Sequence, residues 1–388
     1  LGSELSFDLL DAIVNDAQAV RHALNEAIEA HILYVSSADR YAFTHQQMRQ
    51  SLQNAIEPDE LMALHERIAC ALDQRAAQGG GDVFELARHY ALAQSAEHLR
   101  RLYETSLAAG LHAAASFADA EALALLEQAA RAAELGQLQT DPDLDEGLGS
   151  VCARVGRWQE ARQHLAAALE GLPSAQRRAA VHARLAQVCM ANRQLDDSWT
   201  EIEHAFRELG TPVGRGRPAV FLYTLWFGII GLLSLRVPWR FGQAKGARRE
   251  RLVLQSQLCV IGVYVSYLQH DPLRLLELVL RQLTIGRLLG ESVELASAYT
   301  SVANGLAIMG RPAAADRWSA RSVELTEGLG DGFHLARIRM FHGFQRHLAG
   351  YPREAETRLR RVLQGDAVWL DATDFATAHI DLALNLLL

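Results

Sequence analysis

The sequence predicts an all-α protein, an α-solenoid of stacked helical hairpins with a small α/β element at its N-terminus. Three observations lead to this fold class. Strong helix formers, chiefly Ala, Leu, Glu, Arg and Gln, dominate almost every window, whereas strand formers are sparse. Prolines recur at a fixed spacing in the C-terminal third of the chain. The first 78 residues lack that repeat and contain two short runs of strand-forming residues.

The composition indicates a folded globular protein with room for two or three domains. Of the 388 residues, 49% are apolar and 22% are charged, which provides enough apolar material for a large core. The four cysteines stand far apart without zinc-ligand spacing, so we expect neither a metal site nor a disulfide framework. They are Cys70, Cys152, Cys189 and Cys259. This pattern favours a reducing compartment, and we expect a cytoplasmic protein.

Two features of the chain concern its origin. The 38 basic residues include a single lysine, Lys245, and such an arginine bias is typical of a GC-rich bacterial genome. The chain begins at Leu1 rather than at a methionine and ends within the helical run LALNLLL. We therefore expect a segment of a longer bacterial protein.

The C-terminal part repeats itself with a period of forty residues. Pro272, Pro312 and Pro352 each follow a small or polar break after an apolar run. Proline is favoured at the first position of a helix because no amide donor is needed there. The arginines nine residues after these prolines keep the same spacing. They are Arg281, Arg321 and Arg361. The period predicts helix-turn-helix units in which proline starts the second helix.

The same pattern without proline extends toward the N-terminus. A small residue early in each second helix serves as an anchor, and anchors of adjacent units are 37 to 41 residues apart. The anchors are Ala120, Ala161, Ser198, Ala315 and Ala355. Because one amphipathic helix pair cannot bury its apolar stripe alone, neighbouring pairs must stack into an array with a concave face. We predict such helical repeats over 79–210 and 246–388.

Residues 1–78 are predicted to form helix, helix, hairpin and helix, which is a winged-helix arrangement. The hairpin is ILYVSSADRYAFTH, in which a turn separates two strand-like runs. Many winged helices bind DNA, but this segment has five basic and twelve acidic residues, a net charge of −7. Such a surface repels phosphate backbones. We therefore expect no nucleic-acid binding by this segment.

The stretch FLYTLWFGIIGLLSL, from Phe221 to Leu235, contains no charged residue. The uncharged run starts at Pro218 and is shorter than the roughly 20 residues that a membrane span needs. With soluble repeats on both sides, the stretch predicts a buried helix that breaks the array over 211–245. Docking on a membrane surface near 219–251 is the less favoured alternative, based on a cluster of basic residues. These are Arg236, Arg240, Lys245, Arg248, Arg249 and Arg251.

The sequence contains no set of residues that indicates catalysis or a metal site. No Ser/His/Asp or Cys/His set can be assembled from neighbours in the sequence, and His342 and His347 are five residues apart, which does not place them on one helical face. Four tryptophans recur in the repeat helices, where they either fill the space between hairpins or line a ligand groove. They are Trp158, Trp199, Trp318 and Trp369.

Several motifs resemble a known family. GRWQEA from Gly156 and GYPREA from Gly350 resemble the second helix of tetratricopeptide repeats, although the spacing here exceeds the usual period of about 34 residues. LGSELSFDLLDAIV, YAFTH from Tyr41, LHERIACAL and FELARHYALA resemble the end of the ATPase module in bacterial STAND proteins, the AAA/NACHT-like signal-transduction ATPases with numerous domains. In that family a P-loop ATPase precedes a winged helix and tetratricopeptide-like repeats, fused to kinase, cyclase, histidine kinase or DNA-binding outputs.

The resemblance also implies what this chain lacks. It contains no Gly-x-x-x-x-Gly-Lys-Ser/Thr phosphate loop, so we expect no enzyme activity and no bound cofactor here, with ATP or ADP held by the parent protein. In related switch ATPases a winged-helix histidine contacts the β-phosphate of ADP, and His45 matches that position. Arg49, one turn later, is a second candidate phosphate contact. The alternatives are a capping or packing histidine and a surface ion-pairing arginine.

The resemblance implies a regulatory role. The segment would be the sensor of a multidomain signalling ATPase. Its solenoid would bind a protein or a small-molecule inducer on the concave face and would control the nucleotide switch of the ATPase module in cis. The alternative is a free-standing tetratricopeptide-like adaptor that binds peptide partners.

Overall fold

A computed structural model confirms the all-α class. It describes residues 4–37, 39–77, 81–236, 244–370 and 372–387, and in these ranges it has nineteen α-helices and one three-stranded sheet. The chain forms two compact units, Leu1–Leu148 and Gly149–Leu388. The finer division predicted at residues 78, 210 and 245 stays a prediction.

The first unit contains the sheet and seven complete helices. Its strands are β1 (Glu4–Ser6), β2 (Leu33–Ser37) and β3 (Arg40–Phe43). Its helices are α1 (Phe7–Val14), α2 (Ala17–Glu29), α3 (Gln46–Asn54), α4 (Pro58–Ala76), α5 (Val83–Ala93), α6 (Leu99–Ala115) and α7 (Asp119–Leu135). Helix α8 (Pro142–Arg154) includes the boundary between the units.

The second unit is built from α-helices. They are α9 (Trp158–Gly171), α10 (Ala175–Ala191), α11 (Leu195–Glu208), α12 (Gly216–Arg236), α13 (Gly246–Leu268), α14 (Pro272–Leu289), α15 (Val293–Ile308), α16 (Pro312–Leu329), α17 (Gly332–Leu348), α18 (Pro352–Arg361) and α19 (Ala372–Leu386). Most consecutive helices pack on each other and successive hairpins pack together, as an α-solenoid requires, whereas α12 packs mainly on α14.

The N-terminal sheet has β3 at its centre. β3 pairs antiparallel with β1 on one side and with β2 on the other. The apolar residues that pack beneath it come from β1, α2 and β2. They are Leu5, Val20, Leu24 and Leu33. The predicted helices and hairpin are therefore present, and the interpretation of this element as a winged helix stays a prediction.

The forty-residue repeat corresponds to equivalent helix starts. Pro272, Pro312 and Pro352 each occupy the first position of a helix, as the period predicts. Two residues before each proline the chain adopts a left-handed conformation, with φ of 57°, 70° and 80° at His270, Gly310 and Gly350. A left-handed residue ends the preceding helix and reverses the chain. The three hairpins therefore share one turn geometry.

A second repeat signal was missed in the sequence. In four hairpins a glycine of the first helix lies sixteen positions before a buried leucine of the second helix. The pairs are Gly110 with Leu126, Gly149 with Leu165, Gly262 with Leu278, and Gly343 with Leu359. A Cβ atom on any of these glycines would lie 2.6–2.9 Å from the leucine side chain. Glycine is needed there because the two helices approach too closely for a larger residue.

The predicted anchors are correct for four repeats and wrong for one. Ala161, Ala315 and Ala355 are fully buried at the fourth position of their helices, and Ser198 is buried with its hydroxyl donating to the Ala186 carbonyl at 2.8 Å. Ala120 is exposed instead. The fourth residue of α7 is Ala122, which is fully buried. The predicted anchor of α7 therefore lies two residues before the buried position.

Helix α12 contains the apolar stretch, and the prediction that it is buried is wrong for one face. Its inner face packs on α14, where Phe227 lies over the Arg281 guanidinium at 5.4 Å. The outer face has six large apolar side chains that are 47–64% exposed. They are Phe221, Leu222, Leu225, Trp226, Ile229 and Leu233. The prediction fails because α14 covers a single side of a helix that is apolar all round.

Among the described residues, one helix is long and apolar enough to cross a membrane, judged by length and composition alone. This helix is α13, and half of its most apolar 18-residue stretch is buried inside the protein. It also buries polar side chains, including Gln255, Ser256 and Ser266. Buried polar groups and packing on α14 are typical of a core helix.

Candidate functional site

The second unit contains a groove lined mainly by the first helices of successive hairpins. Side chains from α10, α13, α15, α17 and α19 surround a cavity of about 330 Å³. This volume is within the range of ligand sites in proteins. Because stacked hairpins repeat one geometry, equivalent helices share one face of the array. The groove therefore lies on one face of the array, and the prediction that a ligand binds the concave face stays a prediction.

The walls of the groove are aromatic and aliphatic. Tyr264 and Tyr267 line it from α13, Phe341 and Phe344 from α17, and Ile380 from α19. Tyr267 and Phe344 meet edge to face, with ring centroids 5.9 Å apart. Burial raises the pKa of both tyrosines, so their hydroxyl groups are neutral at physiological pH. Such walls favour apolar side chains or an apolar ligand skeleton.

Polar groups form a stripe along α15. Ser297, Thr300, Ser301 and Asn304 recur at helical spacing on the groove side. Gln282 donates to the Ser297 hydroxyl at 3.3 Å, and Thr300 shares a hydrogen bond with Ser322 at 2.9 Å. These hydrogen bonds to α14 and α16 hold the polar side chains of α15 in place.

The Asn304 side chain has an unused hydrogen-bonding group. Its Oδ1 atom is shielded from solvent and accepts no hydrogen bond from any described residue. A buried acceptor without a donor costs about 1–3 kcal/mol. A ligand N–H group placed opposite this oxygen would recover that free energy. Asn304 is therefore the residue of the groove most suited to orienting a ligand.

One ion pair marks the α17–α19 part of the groove. Arg337 Nε lies 3.2 Å from Asp374 Oδ2, and the Arg337 guanidinium also stands over the Phe341 ring at 5.9 Å. Asp374 is 5% exposed, so its charge is largely shielded from water. In this part of the groove, Arg337 therefore offers hydrogen-bond donors and Asp374 offers acceptors.

The predicted tryptophans take both of the expected roles. Trp158 lines the groove. Trp199 packs beneath the Arg274 guanidinium at 4.1 Å, and Trp318 contacts Tyr299 with ring centroids 5.1 Å apart. Trp369 is 53% exposed. Packing between hairpins is therefore the commoner role, as the sequence analysis favours.

His45 and Arg49 lie in the first unit. His45 is the N-cap residue of α3, is exposed, and makes no capping hydrogen bond with the described backbone. Arg49 lies one turn later and is half-buried. An exposed imidazole at a helix N-terminus is accessible to a phosphate group. The nucleotide-sensing role of both residues stays a prediction.

Three side chains of α10 and α11 have the composition of a metal site. His182, Glu201 and His204 offer ligand atoms that all lie within 4.8 Å of one another. His182 Nδ1 already lies 2.6 Å from Glu201 Oε2. The set was not predicted from the sequence because His182 is nineteen residues before Glu201. The Glu-x-x-His spacing of 201 and 204 was the one local signal, since residues three apart share a helix face.

The comparisons with known proteins concern the fold. No family model matches the chain, and no curated protein matches it. Among solved structures it is similar to a STAND protein with a tetratricopeptide repeat sensor from Pyrococcus horikoshii, at 9% identity and a TM-score of 0.38 over 99% of this chain. It spans 58% of the length of that protein. It is also similar to a Rap protein complexed with competence and sporulation factor, at 10% identity and a TM-score of 0.44, covering 98% of this chain and 94% of that one.

Proposed function

We propose that this chain is a sensor segment whose groove in the second unit binds a peptide or a peptide-like part of a protein partner. The unpaired Asn304 Oδ1 atom is the observation that carries this proposal. An extended peptide presents a backbone N–H to such an oxygen and projects its side chains toward the apolar walls. The Arg337–Asp374 pair would contact a polar or charged residue of the same peptide.

We further propose that this chain controls the nucleotide switch of an ATPase module in the same protein. Its support is the sequence resemblance to the end of a STAND ATPase module. In this scheme the partner in the groove changes how the first unit packs on an ATPase domain, because a ligand shifts a two-state equilibrium when it favours one state. A free-standing adaptor is the alternative, and it is favoured by the fact that all described groove residues belong to the second unit.

The groove is tested by blocking it with a bulky residue. Ser301→Trp adds an indole ring beside Asn304. Peptides enriched from a random-sequence display library on the wild-type chain should be rich in apolar residues, and Ser301→Trp should weaken their binding at least tenfold. Arg317→Trp, at an exposed position on α16 outside the groove, is the matched control and should bind normally. Equal binding to all three proteins would place the peptide site elsewhere.

A second variant controls for the possibility that Ser301→Trp misfolds. Ile380 is 51% exposed at the edge of the groove, so Ile380→Arg should leave the fold and thermal unfolding unchanged. It should weaken the same peptides because an arginine replaces an apolar contact. If this folded variant and Ser301→Trp both bind the peptides normally, the groove is not the peptide-binding site.

The nucleotide switch is tested in the full-length parent protein. If His45 contacts ADP in the resting state, His45→Ala should raise basal output without an inducer. The solenoid should stay folded, since the His45 side chain is exposed. His22→Ala, another exposed histidine of the first unit, is the matched control. Wild-type basal output and nucleotide exchange in His45→Ala would show that His45 is structural, and peptide binding in the groove would be unaffected.

A further inference from the structure

The outer face of α12 is a continuous apolar surface. At 100° per residue, the positions of its six exposed apolar side chains cover an arc of about 140°. Single exposed apolar residues are ordinary in soluble proteins, but a continuous patch marks an interaction site. Trp226, in the middle of the helix, is 59% exposed. Exposure of so large an apolar face to water is unfavourable, so a partner of complementary chemistry is expected to cover it.

The charge around α12 is strongly positive. Between residues 211 and 251 the sequence has eight basic residues and a single acidic one, Glu250, whereas the whole chain has a net charge of −8. Arg215 and Arg217 lie at the start of α12, and Lys245, Arg248 and Arg251 lie at the start of α13; all five are exposed. Of the other basic residues, Arg240 lies outside the described residues.

We propose that the outer face of α12 docks on the surface of an anionic lipid bilayer. An apolar helix face flanked by arginine and lysine has the composition of a helix that lies in the membrane interface. The apolar side chains would enter the headgroup boundary, and the basic residues would contact anionic headgroups. The local charge favours a lipid surface over a second copy of this chain, because two copies would bring two positive segments together.

The helix lies on the membrane rather than across it. Val220 is 3% exposed on the inner face, and Phe227 packs over Arg281 of α14. A transmembrane orientation would break the packing of α12 on α14. The inner face therefore stays on the protein while the outer face enters the interface.

Vesicle flotation tests the proposal with the full chain. The chain should float with vesicles of phosphatidylcholine mixed with phosphatidylglycerol and should bind weakly to phosphatidylcholine alone. Leu225→Asp should reduce partitioning at least tenfold, because it places a charge in the apolar face. Arg248→Gln with Arg251→Gln should reduce it roughly thirtyfold on anionic vesicles, at about 1 kcal/mol per charge. Arg317→Gln with Arg353→Gln, two exposed arginines elsewhere, should have little effect.

The emission of Trp226 provides a second readout. Its fluorescence should shift to shorter wavelength on anionic vesicles, and Trp226→Phe should remove the shift while the other five tryptophans remain. No flotation of the wild-type chain, or equal flotation of Leu225→Asp, would overturn the proposal. So would a stable dimer in solution that Leu225→Asp dissociates, because the face would then be a protein interface.

A second inference rests on a separate observation. We infer that His182, Glu201 and His204 bind a divalent transition metal, with Zn²⁺ the best match to two imidazoles and a carboxylate. Two ligands about 2.1 Å from one zinc ion lie at most about 4.2 Å apart. The ligand atoms lie within 4.8 Å of one another, so side-chain movements below about 1 Å would close the site. Three protein ligands leave a fourth position for water or for a partner's side chain.

Calorimetric titration with Zn²⁺ alone tests this site. The wild-type chain should bind one ion per chain. His204→Ala should weaken binding at least tenfold, whereas His379→Ala, an exposed histidine of α19, should not. Equal binding by His204→Ala, or no binding by the wild-type chain, would overturn the inference. A rise in the unfolding temperature on adding Zn²⁺ that His204→Ala abolishes would be a second confirmation.

Discussion

Arg281→Ala is expected to lower the free energy of unfolding of the second unit by about 3–5 kcal/mol. Arg281 is 3% exposed and lies 3.7 Å from Glu277, which is 1% exposed. Its guanidinium donates to the Thr211 carbonyl at 2.5 Å and stands over the Phe206 ring at 4.3 Å. Removing it leaves the buried Glu277 carboxylate without its ion-pair partner. Urea unfolding followed by circular dichroism measures the loss.

The repeat supplies matched controls for this prediction. Arg321 and Arg361 occupy the equivalent positions of the next two repeats and are exposed, so alanine there should cost less than about 0.5 kcal/mol. Burial already raises the pKa of Glu277, and without Arg281 this carboxyl should protonate more readily still. The cost of Arg281→Ala should therefore be smaller at pH 5 than at pH 8. A loss below 1 kcal/mol at pH 8 would show that Arg281 does not hold this core together.

Asp381→Asn is expected to stabilise the second unit near neutral pH by up to about 3 kcal/mol. Burial raises the pKa of Asp381 from 3.8 to about 6, and the nearby His347 opposes that shift more weakly. A carboxyl whose folded pKa is raised contributes stability below about pH 4, and this contribution is lost as pH rises through 6. Two pKa units correspond to about 3 kcal/mol.

The difference between Asp381→Asn and the wild-type chain isolates this carboxyl from other acid-sensitive groups. Urea unfolding of both proteins between pH 4 and pH 7 should show their stabilities diverging as pH rises. Glu324→Gln, an exposed carboxyl on α16, should show no divergence. A constant difference between Asp381→Asn and wild type across this range would contradict the assignment.

The repeat architecture could be predicted because its signals are local. The preference of proline for the first position of a helix depends only on the local backbone. Helix starts could therefore be predicted from Pro272, Pro312 and Pro352. The register of α7 was mistaken by two residues, since Ala122 rather than Ala120 is the buried anchor. The outer face of α12 was also mistaken, because an apolar sequence shows that a helix needs a partner but does not show how much of it the protein covers.

Most residues of the groove could not be predicted from the sequence. Asn304 and Asp374 are seventy residues apart in the sequence, and the groove forms when stacking brings α15 and α19 to one surface. Whether the Asn304 oxygen has a partner depends on that stacking and has no signal in the sequence. His182, Glu201 and His204 were missed for the same reason, since α10 must pack on α11 before they meet.

Hydrogen exchange of the wild-type chain, with and without a saturating peptide selected on it, tests the central claim most directly. If the groove binds the peptide, protection should increase in α13, α15, α17 and α19, which line it. Protection in the middle of α16 and α18 should change little, and Ser301→Trp should show no protection at the same peptide concentration. Protection confined to the first unit, or to α16 and α18, would contradict a ligand site in this groove.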